Sequence, residues 1–313
     1  MKISITALLL AAGIFLISSD HTFAQQKEPE GTITLSGAWA IYPTAVAWGE
    51  GFQKKYPNVK VDVSAGGAGK GVADAIAGLV DVGMVSREPE QAEIEKGISP
   101  VYILHDAVYP AVSETNPFIK DLFKKGVSKK TWVDMYITGA ITTWDAVVGG
   151  TTKKPLHVYT RSDSCGAAAS WAKYLDKKQE DLRGIGVYGD PGLLDASKKD
   201  PLGIGYSNFS YVFTREGTVL KGVKVVPIDA NENGSADADE IYTTRAQAIK
   251  AIEEGKYPVT RKNYFFIKGR AKGLVKEFIA FALSEEGTKI VEEVGTSLPL
   301  QKAEREKILK SLE

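Results

Sequence analysis

The chain has 313 residues, and lysine plus arginine and aspartate plus glutamate both total 39, so its formal net charge is zero. That balance argues against a polyanionic partner or an anionic membrane surface and points to a small partner. The single cysteine, Cys165, permits no internal disulfide, so stability must come from packing.

Met1 and Lys2 lead into an apolar stretch over 3–17, followed by Thr22-Phe23-Ala24 ahead of Gln25-Gln26. About 15 apolar residues fall short of the roughly 20 that span a bilayer, so the pattern predicts a secretory signal peptide cleaved after Ala24, with a periplasmic mature chain. Cys165 lies far from that cleavage site, which excludes a lipid-modified amino terminus there. The remainder is long enough for two domains of ordinary size.

Residues 32–36 predict a strand, 43–55 a helix and 59–63 a second, alternating strand. A glycine-rich turn at 66–71 opens a helix over 72–78, and 80–85 is a third strand, which together make a parallel α/β layout. Further strands are read at 101–104, 107–112, 157–160, 203–206 and 223–228, and helices at 129–138, 167–175, 245–254 and 273–283. Trp132, Trp144 and Trp171 are assigned to the core, and His105 and His157 to ordinary strand positions. The class is therefore α/β in two lobes, with ligand-facing loops at the carboxyl ends of the strands.

Three of those loops carry the chemistry. The 66–71 turn leaves backbone N–H groups at the positive end of a helix dipole, an anion site if it is more than a plain glycine turn; it fits neither phosphate-loop nor dinucleotide fingerprints. Gly37-Ala38-Trp39-Ala40 and Ser164-Cys165-Gly166 repeat the arrangement, so three helix amino termini can converge on one cleft. Arg161 ends a strand just before such a turn, where its fork can hold an oxyanion bidentately while Asp163 orients it; a purely structural ion pair is the competing reading. A thiol at a helix amino terminus beside Arg161 predicts a depressed pKa for Cys165, against the plainer reading of a small packed side chain. Nucleophilic catalysis with His157 is disfavoured, since that residue stands eight positions earlier at a strand's start.

These stretches, in this order, resemble the ligand loops of the periplasmic phosphate-binding component of ABC-type phosphate importers. Arg161-Ser162-Asp163-Ser164-Cys165-Gly166-Ala167 is similar to the family's Arg-x-Asp-Gly-Ser-Gly-Thr loop, and 80–87 to its Asp-Ile-Gly-x-Ser-Ser-Arg stretch; Gly203-Ile204-Gly205-Tyr206 belongs to the likeness too. The resemblance implies the type II periplasmic binding fold, with a first lobe from 31–106 and 223–300, a second from 107–222 and a hinge of two crossing strands; the charge pattern of 301–313 separately predicts a charged, solvated helix. It also implies a monomer that captures a small oxyanion for a membrane permease and catalyses nothing. The implied ligand contacts are Ala38, Trp39, Ala40, Ala68, Gly69, Ser86, Arg161, Ser164, Cys165 and Gly166.

The departures are as informative. Where the family has hydroxyl donors, this chain has Ala38, Trp39, Ala40, Ala68, Cys165 and Ala167, and Ser86 stands where the family has serine or a proton-accepting aspartate. Each neutral donor lost should weaken binding by about 1–3 kcal/mol unless replaced. A sensor for a different, thiophilic oxyanion through Cys165 is the alternative function, and a secreted enzyme a weaker one, because paired acids and a histidine-based site are missing.

A second motif runs from Asp229 to Glu240. Asp229, Asn231, Asn233, Ser235, Asp237 and Glu240, with Gly234 at the sixth position, have calcium-loop spacing. An acidic surface turn is the competing reading. No cofactor is required for function; calcium would be a structural staple.

Overall fold

The computed structural model describes residues 28–312. The signal segment and its cleavage point after Ala24 lie outside the described residues.

Three strands open the first lobe: β1 (Gly31–Gly37), β2 (Val59–Ala65) and β3 (Val82–Val85), with helices Tyr42–Lys55 and Ala68–Ala77 between them. β1 lies between the other two and pairs parallel with both, as the alternating pattern predicts. The fourth strand, β4 (Ile98–Ser113), then leaves the lobe. The sequence reads two strands here, but they are one: residues through Leu104 pack in the first core and residues from Ala107 in the second.

The second lobe contributes β5 (Val127–Ser128), β6 (His157–Arg161), β7 (Ile185–Val187), β8 (Gly203–Asn208), β9 (Val223–Val225) and β10 (Ile228–Asp229). β6 pairs parallel with β7 and β8, whereas β8 and β9 run antiparallel to β4. The chain returns through β11 (Thr260–Lys268), antiparallel to β3 and β4, and β12 (Leu298–Pro299) adds to β4. The result is a mixed sheet with the order β2-β1-β3-β11-β4-β8-β6-β7, curled through both lobes. Its type II architecture is the one the loop motifs imply.

Each lobe has its own aromatic core. Trp48, Phe52, Phe265 and Phe278 fill the first, and Trp132, Tyr136, Trp171 and Tyr206 the second. Burying each such ring favours folding by about 1.5–3 kcal/mol over leaving it in water.

Two boundaries need correction. Val223, Val225, Ile228, Tyr242, Ile252, Tyr257 and Val259 all pack in the second core, so the chain re-enters the first lobe at β11 and not at residue 223. The apolar face of helix Arg245–Glu253 has its partners there. Helix Lys302–Ser311 is also not simply solvated: Ile308 and Leu309 pack on the first core, and buried Arg305 donates to Leu283 O at 3.0 Å and to Glu285 at 2.8 Å.

Candidate functional site at the interlobe seam

β1, β2 and β3 end side by side, and bare backbone makes that closeness possible. A Cβ on Gly37 would lie 2.3 Å from Met84 O, so β1 and β3 meet with no side chain between them. Ala38 N–H donates to Met84 O at 2.8 Å, and the N–H groups of Gly66 and Gly67 donate to Gly37 O at 2.9 and 3.0 Å. The turn expected over 66–71 shrinks to Gly66 and Gly67, because the helix starts at Ala68 and takes Gly69 and Gly71 into its first turn.

In the second lobe β6 delivers Arg161, and Tyr206 of β8 braces that strand end: its hydroxyl bonds Thr160 Oγ1 at 2.8 Å and accepts from Arg161 N–H at 3.3 Å. Gln179 holds the following loop from both sides, donating to Asp163 O at 2.7 Å and accepting from Cys165 N–H at 3.1 Å. Cys165 then caps helix Gly166–Tyr174, its sulfur accepting from Ala168 N–H at 3.4 Å.

The lobes meet along these loops. Gly69 N–H donates to Ser164 O at 3.0 Å, and Tyr211 Oη donates to Trp39 O at 3.2 Å. A Cβ on Gly166 would sit 2.1 Å from Ser86 Oγ and 2.2 Å from Ser86 O, and one on Gly67 would sit 2.7 Å from Asp163 Oδ2. The Trp39 ring is wedged edge-on against Tyr42 of its own lobe and Tyr188 of the other. Ala38, Trp39, Ala68, Gly69, Ser86, Arg161, Ser164, Cys165 and Gly166 thus gather on one seam, whereas Ala40 is simply buried in the turn after β1. The first-turn N–H groups of Ala68, Gly166 and Ala167 have no intrahelical acceptor.

Arg161 differs from expectation. Its side chain is fully buried, and Asp163 takes the fork: Nε to Oδ1 at 2.8 Å and Nη2 to Oδ2. Asp190, outside every motif, takes Nη1 through Oδ2. Burial opposes the Arg161 charge, but the pull of Asp190 and Asp163 outweighs it and holds the guanidinium more firmly protonated than usual. The bidentate edge expected to face a ligand is therefore committed to Asp163; what remains is one further N–H each on Nη1 and Nη2. A sequence signal for Asp190 exists: Tyr188-Gly189-Asp190-Pro191 follows β7 and opens helix Asp190–Lys199, a fourth strand-glycine-helix turn.

Cys165 also departs from expectation. It is buried, and burial pushes its thiol up to about 12 despite the nearby Arg161 charge. The expected depressed pKa is overturned, because desolvation outweighs the cation and the helix terminus. A thiolate-based contact loses its basis, and the residue serves as a packed cap.

The 229–240 loop folds on itself. Gly234, with φ +78°, occupies the sixth position; Asp229 accepts from the N–H groups of Asn233 at 3.0 Å and Gly234 at 2.9 Å; and Asn233 Oδ1 accepts from Ser235 N–H at 2.8 Å. Asn231 and Asn233 both turn their amide nitrogens to Asp237. Glu240 closes the ring on Ala230 N–H at 2.8 Å and Asp237 N–H at 3.1 Å. Among the described residues, no three acidic, histidine or cysteine side chains converge to hold a metal ion.

The family model for the PBP superfamily domain matches residues 24–286. The chain belongs to the PBP superfamily. Among curated relatives of this PBP chain, the phosphate-binding protein PstS of Bacillus subtilis is 28% identical over 278 residues, covering 88% of this chain and 82% of that one. Protein SphX of Synechococcus elongatus is 26% identical over 295 residues, covering 89% and 80%. A substrate-binding protein from Clostridium perfringens, solved with bound phosphate, superposes with a TM-score of 0.71 at 25% identity, covering 87% of this chain and all of that one. An ABC-type phosphate transport receptor from Vibrio cholerae shares the PBP fold, with a TM-score of 0.63 at 21% identity over 86% of this chain and 100% of that one.

Proposed function

We propose that this PBP-superfamily protein captures a small oxyanion, phosphate first among them, in the cleft between its lobes and hands it to the membrane permease of an ABC importer. It acts as a periplasmic monomer that binds and releases without turnover. The observation that carries the reading is the convergence of the 37–41 loop and the amino termini of helices Ala68–Ala77 and Gly166–Tyr174 beside buried Arg161. Backbone N–H groups stand in for the hydroxyls that Ala38, Ala40, Ala68 and Ala167 lack. The names of the relatives and the phosphate in the Clostridium perfringens protein support phosphate as the ligand.

The test is a thermal-shift series on the mature protein, stripped of ligand by unfolding and refolding, against phosphate, sulfate, molybdate and arsenate. An anion at about 100 times its Kd adds about 2.7 kcal/mol and a clear rise in Tm. If no oxyanion moves the melt, the reading is wrong.

A structural calcium ion in the 229–240 loop is a separate part of the proposal, supported by Gly234 at the sixth position and by buried Asp229 and Glu240 at the first and twelfth. Glu240 must leave its two backbone donors to meet the ion, so the affinity belongs to the millimolar range of extracellular sites. Calcium should raise the Tm, Glu240→Gln should abolish that rise, and oxyanion binding should be unaffected.

A further inference from the structure

Three buried polar atoms around Asp190 have no hydrogen-bond partner: Asp190 Oδ1, Arg261 Nη1 and Trp39 Nε1. Asp190 is 2% exposed and Arg261 8%, and both are fixed from behind. Arg161 holds Asp190 through Oδ2; Asp106 holds Arg261 at Nε, 2.7 Å, and Nη2, 3.0 Å, with Asn208 also on Nη2. The Trp39 ring lies against Gly189, the residue before Asp190, where a Cβ would be 3.6 Å from the indole nitrogen, and the positive charge of Arg261 acts on the Asp190 carboxyl. Buried polar groups are rarely left unpaired, so a trio of them beside a cleft marks a place for an occupant.

The charges around that place do not balance. The groups facing Asp190 are Arg161 of β6, Asp163 in the loop after it and, across the hinge, Arg261 of β11 with its Asp106 of β4. The nearby Tyr206, Tyr211 and Cys165 are all pushed up by burial and stay neutral. Two guanidinium groups against three carboxylates leave one negative charge in excess before any anion enters. Arg161 cannot give up its proton, and Asp163 and Asp106 are each held bidentately by an arginine. Asp190 alone has a free oxygen.

We infer that oxyanion capture is coupled to uptake of one proton by Asp190 at Oδ1, so that Asp190, Arg261 and Trp39 become three buried donors to the bound anion. The inference rests on the oxyanion reading above. The proton comes from solvent, the Asp190 carboxylate becomes a carboxylic acid, and nothing else changes covalently. Burial already pushes the Asp190 carboxyl up against the pull of Arg161 and Arg261, which keeps the proton within reach. Because the complex holds a proton that the free protein lacks, affinity rises as pH falls and drops about tenfold per unit above the free-state pKa of Asp190.

The experiment is calorimetry with inorganic phosphate at mildly alkaline pH, where phosphate is the dianion, in two buffers of different ionisation enthalpy. The wild-type protein should take up close to one proton per phosphate, and Asp190→Asn, whose amide donates without a proton, should bind with uptake near zero. Uptake near zero in the wild type, or equal uptake in both proteins, overturns the inference and leaves the oxyanion reading standing. Failure of the wild type to bind any oxyanion takes down both. Should Asp190→Asn fail to fold, infrared difference spectra of the wild type decide: a new protonated-carboxyl band on phosphate binding is expected, and its absence overturns the assignment.

Discussion

Gly166 is where a single methyl group should separate binding from folding. Its Cβ would meet Ser86 Oγ at 2.1 Å, and Ser86 follows a strand of the first lobe while Gly166 starts a helix of the second. Gly166→Ala should therefore fold with nearly the wild-type Tm in the absence of ligand yet bind phosphate at least about tenfold more weakly, because closure is blocked. Equal phosphate affinities by calorimetry would remove the seam from the binding mechanism. Cys165 gives the opposite expectation: Cys165→Ser keeps a capping atom and should cost no more than about 1 kcal/mol by denaturant titration. Its thiol, pushed up to about 12, should react with a disulfide reagent only after unfolding. At this scale the three loops were legible because glycine and helix-start signals are local. Asp190 was not, since its meeting with Arg161, 29 positions away, depends on how β7 lies beside β6.

The hinge strands β4 and β11 were the least legible elements. β4 read as two strands because its apolar pattern is broken at His105 and Asp106, where it passes between the lobes. β11 was missed because Asn263–Ile267 is buried on both faces and shows no alternation. What joins the two is the buried Arg261–Asp106 pair. Removing one partner strands the other's charge, so Arg261→Met should lower stability by about 3–5 kcal/mol, and the double variant Arg261→Met/Asp106→Leu should recover much of it; denaturant midpoints of the four proteins give the cycle. Acid sensitivity belongs to another element pair. Burial works against the Asp200 carboxylate, but His157, Leu202 N–H and Tyr159 hold its pKa below the ordinary 3.8. A depressed carboxylate contributes stability that is present above its unfolded pKa and lost as pH falls through the folded one. Asp200→Asn should accordingly flatten the acid limb of the stability profile below about pH 4, and an unchanged limb would mean the cluster does not matter for acid unfolding.

For the whole molecule the relevant variable is the angle between two separately cored lobes. The closed arrangement is held by few direct contacts: Gly69 N–H on Ser164 O, Tyr211 on the Trp39 carbonyl, and the Trp39 ring between Tyr42 and Tyr188. Hydrogen bonds of this kind contribute about 1 kcal/mol each, while the seam also carries helix-terminal N–H groups without an intrahelical acceptor, the Asp190 cluster and its excess negative charge. Without an anion, solvating those groups competes with the few contacts, and an open form follows. With one, they are paired and closure is favoured. Small-angle scattering of the stripped protein should then show a larger radius of gyration than after phosphate is added, and Gly166→Ala should stay expanded at phosphate concentrations that close the wild type. A stripped wild-type protein that scatters identically with and without phosphate, while calorimetry shows phosphate bound, would mean that the lobes are locked independently of the ligand and that delivery to a permease cannot be signalled by closure.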